Sequence, residues 1–319
     1  MTNTDASNPT MRAWTIDRYG DMIHLAELPR PQPGPGDILI RMTGAEVGDW
    51  DDLVRKGEWP MERQFPLILG LAGSGNVASV GRGVTRFKND DPVYSYSYPL
   101  YDNGAWAEYM LVPESYAAKP PPVLELTRAG AVPIAGLTAH ETLVDILEVK
   151  KHEVVLITAA SGGVGHLAVQ MARHLGAHVV ATVGRPHVDF VSELGAETVI
   201  DYTTQDVRQA IHAKYPNGVD KILNGVASEA ANQYVSVLAG GGVLLDLPGT
   251  IIATRPDVRI IKDYVVRGDG VRLQAVSDLI DAGVLRLEID EIFPFDRAPD
   301  ALNKVLDKHV RGKVAIKIR

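Results

Sequence analysis

Cysteine is absent from this chain of 319 residues. Its absence excludes disulfide bonds, thiol nucleophiles and zinc sites built from cysteine. The nine histidines offer no substitute. His174 and His178 are separated by Gly176, which we expect to end a helix, and His140-Glu141 lacks the second histidine of an H-E-x-x-H motif. We therefore expect no bound metal.

Long apolar runs and blocks of basic residues are missing as well. No apolar stretch approaches the roughly 20 residues that a membrane-spanning helix needs, and residues 1–10 lack the apolar core of a secretory signal. Basic residues are interspersed with acids, and the net charge is −8. These absences predict a cytoplasmic protein without a nucleic-acid or membrane partner, and a disordered leader over residues 1–10.

A glycine-rich stretch is the most informative feature that is present. The sequence Ala159-Ala160-Ser161-Gly162-Gly163-Val164-Gly165 follows the apolar run Val154–Ile157 and leads into an amphipathic segment. A strand, a glycine turn and a helix in this order are the context of a dinucleotide fingerprint, read here as A-x-G-x-x-G. Gly162 permits a close approach of pyrophosphate, and Gly165 permits tight packing of the helix on the sheet. We assign cofactor binding to Ser161, Gly162, Gly163, Val164 and Gly165.

Two patterns divide the rest of the chain. Up to about residue 122, short strands are punctuated by glycine and proline, which predicts a small β-barrel. From about residue 126 strands alternate with helices, which predicts a doubly wound parallel sheet. Its predicted strands are Val154–Ile157, Val179–Val183, Thr198–Ile200, Lys221–Leu223, Val243–Leu247 and Tyr264–Val266.

Several segments occur in the order found in one enzyme family. They include Pro33–Leu39, Phe65–Gly70, Val80–Phe87, Gly104–Tyr109, Val132–Ala139, the glycine stretch, Leu194–Ala196 and Val310–Val314. From Met11 onwards the chain resembles a medium-chain dehydrogenase/reductase of the zinc-free, quinone-oxidoreductase-like branch. The resemblance implies an α/β fold with two parts, a GroES-like β-barrel catalytic domain (residues 11–125 and 267–319) and a Rossmann domain (residues 126–266).

The resemblance also bears on metal, substrate and assembly. Zinc-dependent relatives carry a cysteine where Gly48 stands and a histidine where Leu71 stands, and neither residue here binds metal. This points away from Lewis-acid activation of an alcohol. The cleft between the domains is implied to hold nicotinamide and a small-molecule substrate. Homodimers are implied through the edge strand, near Val243–Val266.

The residues after the second strand of the parallel sheet indicate which cofactor binds. Rossmann folds that prefer NAD place an acid there, but Ala181–His187 contains none. Arg185 could meet a 2′-phosphate with a bidentate contact, although a solvated turn residue is the alternative. The resemblance adds His187, which could equally be an exposed turn residue, and Tyr202. We therefore predict NADPH, with Thr182 in the same pocket.

Further cofactor contacts follow from the resemblance alone. Thr138 matches a residue near the diphosphate and nicotinamide, and it could also cap a helix. The remaining contacts lie at the ends of the fourth and fifth strands and in the segment before the first helix: Asn224, Val226, Leu247, Gly249 and Gly48. Gly48 replaces the family's asparagine, so one polar contact to the cofactor is in doubt.

Candidate catalytic residues are fewer. Tyr94, Tyr96 and Tyr98 alternate on one strand face, which is either part of the core or lines the cleft. Tyr94 is nearest the segment that lines the cleft in the family, and it is one catalytic candidate. Asp51 keeps the family's aspartate and is the other, with a helix-starting cap as the alternative. Asp49, Trp50 and Tyr96 are candidates for shaping the substrate site.

Three functions remain open on this reasoning. The first is an NADPH-dependent reductase of a quinone or an activated C=C bond, which acts by hydride transfer. The second is a redox-silent member that catalyses a cyclisation, addition or elimination, since the departures from the family pattern cluster in the cleft. The third is a non-catalytic NADPH-binding protein. The sequence names neither the substrate nor the proton donor.

Overall fold

A computed structural model describes residues 9–59, 64–98 and 104–319. Of the predicted leader, residues 1–8 lie outside the described part. Thr10 already belongs to the first strand, where it pairs with Pro29. The predicted end of the leader is therefore wrong at this residue.

The strands fall into three sheets. Their bounds are β1 Thr10–Ile16, β2 His24–Pro29, β3 Asp37–Val47, β4 Leu67–Ile68, β5 Ala72–Val80, β6 Pro92–Tyr96, β7 Tyr109–Pro113, β8 Ala117–Ala118, β9 Val154–Ile157, β10 His178–Val183, β11 Thr198–Asp201, β12 Val219–Asn224, β13 Leu238–Asp246, β14 Arg259–Ile261, β15 Ile289–Pro294 and β16 Lys313–Lys317.

Helices connect and cover these strands. Their bounds are α1 Trp50–Lys56, α2 Leu126–Ala129, α3 Pro133–Glu141, α4 Gly165–His174, α5 Val188–Glu193, α6 Val207–Lys214, α7 Gly270–Asp281 and α8 Ala298–Leu306. Short 3-10 helices cover Glu114–Tyr116, Arg185–His187, Glu229–Val237 and Phe295–Arg297, and a π-helical turn, Thr142–Ile146, follows α3. No helix in the described ranges is long and apolar enough to cross a membrane.

The barrel-like side consists of two sheets. One has the order β2-β1-β4 and the other β15-β16-β3-β5-β6-β8, with β7 also paired to β3. The C-terminal strand β16 runs antiparallel to the end of β3 and places Val314 opposite Val47. The tail of the chain therefore returns to the segment that precedes α1.

The third sheet is parallel and has the order β11-β10-β9-β12-β13-β14, which is the 3-2-1-4-5-6 order of a Rossmann fold. The predicted α/β class and doubly wound sheet are confirmed. The predicted sixth strand, Tyr264–Val266, is wrong, because Arg259–Ile261 pairs with β13 instead. The Tyr264 hydroxyl donates to Glu141 at 3.0 Å, so this segment turns towards α3.

Side-chain alternation along the parallel strands explains why both faces of this sheet are covered. On β9, Val155 and Ile157 belong to a core that continues into the barrel-like side, whereas Leu156 belongs to a separate core under α6. Because one hydrophobic cluster includes residues from both sides, the two sides pack directly against each other.

Candidate functional site

The glycine stretch forms a tight loop between β9 and α4. A Cβ atom built on Gly165 would lie 2.2 Å from the carbonyl oxygen of Ala159, so only glycine fits there. The backbone N–H groups of Gly163 and Val164 have no acceptor among the described residues. Free N–H groups at the start of a helix form an anion-binding cradle.

The C-terminal part of the chain holds this loop. The Gly312 N–H donates to the Ser161 carbonyl at 2.8 Å. His166 is fully buried; its Nδ1 bonds to the Gly162 carbonyl at 2.9 Å, and its Nε2 accepts from the Glu288 N–H at 3.2 Å. Burial lowers the pKa of His166 to about 4, so the ring is neutral and can accept that N–H.

The region after β10 contains the predicted contacts to a 2′-phosphate. A Cβ atom built on Gly184 would lie 3.3 Å from the Tyr202 hydroxyl, so Tyr202 covers the end of this strand. Arg185 and His187 begin and end the 3-10 turn that follows. The Arg185 guanidinium makes no hydrogen bond or ion pair to any described residue. The structure therefore places Tyr202 beside Gly184, the residue before Arg185, and leaves the guanidinium available.

An acid that the sequence reasoning missed lies close to Arg185. Asp201, at the end of β11, accepts from the Thr203 hydroxyl at 2.6 Å and the Thr204 hydroxyl at 3.0 Å. These bonds, with the nearby Arg185 charge, lower the pKa of Asp201. The cavity of about 410 Å³ at this place is lined by Arg185, Val188, Asp189, Val199, Asp201, Thr204 and Gln205. Although β10 itself ends without an acid, the cavity beside Arg185 therefore contains the carboxylates of Asp189 and Asp201.

Two predicted threonine contacts are buried. Thr182 is 1% exposed and its side chain lies near the Tyr234 hydroxyl. Thr138 lies in the middle of α3, where its carbonyl accepts from the Thr142 hydroxyl at 2.6 Å. The alternative interpretation of Thr138 as a helix cap is wrong, because Val132 is the N-cap residue of this helix.

A polar network occupies the carboxyl ends of three neighbouring parallel strands. The Asn224 Oδ1 accepts from the Thr158 hydroxyl at 2.7 Å, and its Nδ2 donates to Asp246 at 2.7 Å and to the Val226 carbonyl at 3.1 Å. Asp246 in turn accepts from the Ile251 N–H at 2.7 Å. The amide of Asn224 is thus engaged by protein partners, so this side chain shapes the rim of the sheet.

The other predicted rim residues follow the same strands. The Leu247 N–H donates to the Asn224 carbonyl at 3.0 Å, and Gly249 has a φ angle of 70° that favours glycine. Val226 and Leu247 are half-buried, and Gly249 is exposed. They lie at the edge of the sheet where β9 ends in the glycine loop, which is where ligands bind in open α/β folds.

Trp50 occupies the space beside Gly48. A Cβ atom built on Gly48 would lie 2.3 Å from the indole ring, so no side chain fits at position 48 while Trp50 is there. The Lys313 ammonium lies 4.6 Å from the centre of that ring. The Trp50 Nε1 is buried without a partner among the described residues. The exposed Asp49 is the N-cap residue of α1 and makes no side-chain cap.

Asp51 is fully buried behind this tryptophan. Its Oδ2 accepts from the Gly48 N–H at 2.9 Å, and its Oδ1 has no partner among the described residues. Burial raises the pKa of Asp51 to about 8. At pH 7 it is therefore mainly a neutral carboxylic acid. It lies in the first turn of α1 and holds the preceding turn, although the N-cap position itself belongs to Asp49.

A buried ion pair lies next to Asp51 and was not found from the sequence. The Lys313 Nζ donates to Glu46 at 2.9 Å and to the Val47 carbonyl at 3.1 Å. Glu46 also accepts from the N–H groups of Ile134 at 2.9 Å and Ala135 at 3.3 Å, at the start of α3. Burial raises the pKa of Glu46, and these donors oppose the shift. The pair thus joins β3, α3 and β16.

The tyrosines of β6 differ in their surroundings. Tyr94 is fully buried, and its hydroxyl donates to the Leu273 carbonyl of α7. Burial raises the pKa of Tyr94. The prediction that Tyr94 faces the cleft is wrong, because its hydroxyl is used within the core. Tyr96 and Tyr98 stack at 6.1 Å, and Trp59 meets Tyr98 edge-on at 5.7 Å. Tyr96 therefore belongs to an aromatic cluster at the end of β6.

Comparison with known proteins identifies the family. The model for an alcohol dehydrogenase GroES-like domain matches residues 34–122, and that for a zinc-binding dehydrogenase matches residues 194–316. A chloroplastic quinone oxidoreductase of Triphysaria versicolor is 31% identical to this chain in an alignment that covers 96% of this chain and 98% of that protein. The chain belongs to the medium-chain dehydrogenase/reductase superfamily. Within it, the chain falls in the quinone-oxidoreductase-like branch and is an oxidoreductase.

One solved structure and one further sequence relative are similar to this medium-chain oxidoreductase. The quinone oxidoreductase from Coxiella burnetii has a TM-score of 0.89 at 28% identity, over 98% of this chain and 100% of that one. A chloroplastic NADPH-dependent alkenal/one oxidoreductase of Arabidopsis thaliana is 29% identical over 98% of this chain and 81% of that protein. The GroES-like and Rossmann assignments are confirmed.

Neither of the two positions that the resemblance compares with zinc ligands carries a metal-binding side chain. Gly48 lies under the Trp50 ring, and Leu71 is buried. Among residues 9–59, 64–98 and 104–319, no three His, Asp or Glu side chains come close enough together to hold a metal ion. The polar surroundings of Gly48 are the Trp50 indole, the neutral carboxyl group of Asp51 and the Lys313–Glu46 ion pair.

Proposed function

We propose that this chain reduces a quinone or an activated C=C bond of a small molecule, with NADPH as the hydride donor and without zinc. One observation carries the proposal. The free N–H groups of the glycine loop and the unpaired Arg185 guanidinium follow adjacent strands of the same sheet. Anionic groups of one dinucleotide can reach both. The names of the quinone and alkenal/one oxidoreductase relatives point to the same chemistry.

The residues present fit a phosphorylated dinucleotide. The N–H groups of Gly163 and Val164 would hold the diphosphate, because they have no acceptor within the described protein. Gly165 keeps the loop in the shape that presents them, since a Cβ atom there would meet the Ala159 carbonyl oxygen. Arg185 and Tyr202 would hold the 2′-phosphate. The hydrogen bonds from Thr203 and Thr204 satisfy the Asp201 carboxylate. When bound, the reduced nicotinamide supplies a hydride.

The buried charges near Gly48 suit an electron-poor substrate. A quinone or an enone becomes electron-rich at oxygen during reduction, so nearby fixed negative charge would oppose the reaction. The charge of Glu46 is compensated by Lys313, and Asp51 is neutral at pH 7. The Trp50 ring fills the space beside Gly48. The buried acids next to Gly48 therefore add no uncompensated negative charge.

We also propose a homodimer formed through the parallel sheet. β14 is the last strand on one edge of that sheet, with β13 as its neighbour. Pairing of two β14 strands would cover backbone groups that are otherwise open at the edge. Analytical ultracentrifugation tests the assembly, since a monomer at micromolar concentration would contradict it.

Titration and product analysis test the proposed reaction. We expect NADPH to quench tryptophan fluorescence at concentrations at least about tenfold lower than NADH, because only NADPH carries the group that Arg185 meets. Quinones and α,β-unsaturated ketones should then oxidise NADPH, with a product heavier by two hydrogens. Equal affinity for both cofactors overturns the NADPH assignment. A product of unchanged mass overturns the reduction and supports the redox-silent alternative.

A further inference from the structure

We propose that Lys313 is a positioning residue for the cofactor, because it braces the phosphate-binding loop and adds positive charge to it. The inference rests on the proposed function and extends it to a residue outside the Rossmann domain predicted above. Lys313 begins the C-terminal strand β16, far from the glycine loop in sequence. The argument depends on its contacts at both ends of the side chain.

The stem of Lys313 packs against the loop. A Cβ atom built on Gly163 would lie 2.9 Å from the Lys313 Cδ and 3.4 Å from its Nζ. The neighbouring Gly312 N–H donates to the Ser161 carbonyl at 2.8 Å. A side chain at position 163 would therefore have to displace the Lys313 stem. The glycine serves close packing from the C-terminal tail as well as approach of a ligand.

The ammonium group is held in one position by buried partners. It bonds to Glu46 and to the Val47 carbonyl and lies over the Trp50 ring. The side chains of Lys313 and Glu46 are 4% and 0% exposed. A buried charge is screened little by solvent, so it acts on its surroundings more strongly than a surface lysine would. Lys313 thereby links the phosphate loop to the segment that carries Gly48 and Trp50.

The same tail also contacts the helix that follows the loop. The side-chain amide of Gln170 donates to the Arg286 carbonyl at 3.0 Å and accepts from the Arg286 N–H at 2.8 Å. One turn earlier, the neutral His166 joins the Glu288 N–H to the Gly162 carbonyl. With the Gly312–Ser161 bond and the Lys313 stem, these contacts make four attachments of the tail to the glycine loop and α4, and Lys313 contributes the charged side chain among these four.

The opposite charges of Lys313 and Glu46 predict opposite effects on cofactor binding. A diphosphate on the Gly163 and Val164 N–H groups is attracted by the Lys313 ammonium, and Glu46 weakens that attraction. Removal of the lysine charge should therefore weaken cofactor binding, and removal of the glutamate charge should not. A role in folding alone would make both changes harmful to binding, because each leaves the other partner buried and unpaired.

The first experiment compares Lys313→Met, Glu46→Gln and the matched control Lys317→Met. Lys317 lies on the same strand but is exposed, so the control removes the same charge away from the loop. We expect Lys313→Met to raise the Kd of both NADPH and NADH about tenfold, since both carry the diphosphate, with kcat at saturation changed less than about threefold. Glu46→Gln should leave the Kd unchanged or lower it, and Lys317→Met should leave it unchanged.

The outcomes separate the inference from the function on which it rests. If the unmodified protein binds neither cofactor, the proposed function fails. If it binds NADPH and Lys313→Met binds equally well, or if Glu46→Gln weakens binding as much as Lys313→Met does, only the positioning role fails. Lys313→Arg, which keeps the charge, should bind NADPH better than Lys313→Met.

A double-variant cycle tests the contact between Lys313 and Gly163 itself. Gly163→Ala should weaken cofactor binding in the unmodified protein, because its Cβ would meet the Lys313 stem at 2.9 Å. In a Lys313→Ala background the same glycine substitution should have a much smaller effect. An equal effect in both backgrounds would rule out the contact between the two residues as its cause.

Discussion

The two ends of the cleft are built in different ways. At the glycine loop, which we propose binds phosphate and call the phosphate end, backbone N–H groups, glycines without room for a Cβ atom and backbone bonds from the tail form the site. At the Gly48 end, side chains form it: an indole over a glycine, a protonated aspartate and a lysine paired with a glutamate. Substitutions can hardly change a site made of backbone groups without disturbing the fold. They can change the chemistry of a site made of side chains while the fold stays the same.

Ionisation of Asp51 should produce the largest effect, at the Gly48 end. The folded pKa of about 8 lies above the roughly 3.9 of an unfolded chain, so the folded state holds the extra proton between these values. The free energy of unfolding should therefore fall by roughly 1.4 kcal/mol per pH unit between about pH 4 and pH 8 through this group. Asp51→Asn should remove that loss, so its stability relative to the unmodified protein should rise with pH in urea titrations.

Asp52→Asn is the matched control for Asp51→Asn. Although partial burial opposes it, hydrogen bonds from Lys56 and Arg55 lower the pKa of Asp52. This carboxylate contributes stability that is present above the unfolded pKa and is lost as pH falls through the folded value. Asp52→Asn should therefore destabilise the protein at pH 7 and not at low pH. The same pH trend for both variants would contradict the assigned protonation of Asp51.

Gly165→Ala should have the next largest effect, at the phosphate end. Its Cβ atom would lie 2.2 Å from the Ala159 carbonyl oxygen, so the loop must shift and its N–H groups lose their arrangement. We expect the Kd for NADPH to rise about 100-fold in fluorescence titration, which corresponds to roughly 2.7 kcal/mol. Gly240→Ala, whose Cβ meets nothing closer than 3.6 Å, is the control and should bind normally. Normal binding by Gly165→Ala would mean that the loop does not hold the cofactor.

Arg185→Ala should affect one cofactor only. Loss of the guanidinium should raise the KM for NADPH about tenfold and leave the KM for NADH nearly unchanged, because NADH has no 2′-phosphate. Steady-state kinetics with both cofactors provide the ratio. An equal increase for both would place Arg185 at the diphosphate or adenine instead.

Tyr94→Phe should have the smallest effect. Loss of its hydroxyl leaves the buried Leu273 carbonyl without this donor, which costs about 1 kcal/mol of stability. Because the hydroxyl points into the core, kcat should stay within about twofold of the unmodified value. A tenfold fall in kcat at unchanged thermal stability would restore Tyr94 as a catalytic residue and weaken the contrast between the two ends.

Sequence patterns predicted the strand, the glycine turn and the helix in their order, for physical reasons. They are found as β9, the glycine loop and α4, and α4 ends before Gly176 as expected, because glycine turns and apolar periodicity are local signals. The sixth parallel strand was misplaced, since Tyr264–Val266 and Arg259–Ile261 are both apolar enough for a strand. Only pairing with β13 selects the second.

Side-chain roles at the Gly48 end were harder to predict. Alternation placed Tyr94, Tyr96 and Tyr98 on one face, but it could not show that α7 covers the first of them. Nothing local to Lys313 indicates that it meets Glu46 or Gly163, which are more than a hundred residues away in sequence. The closest available signal was an unusual glutamate within the apolar end of β3.

The amino-acid sequence by itself determined the fold class, the phosphate loop and the absence of cysteine ligands, because these depend on residue type, spacing and local periodicity. The tertiary structure alone decided which polar groups are buried together. It set the protonation of Asp51 and His166, removed Tyr94 from the cleft and placed Lys313 against the loop. Burial and long-range contact determine such properties, and neither is encoded in the neighbours along the chain.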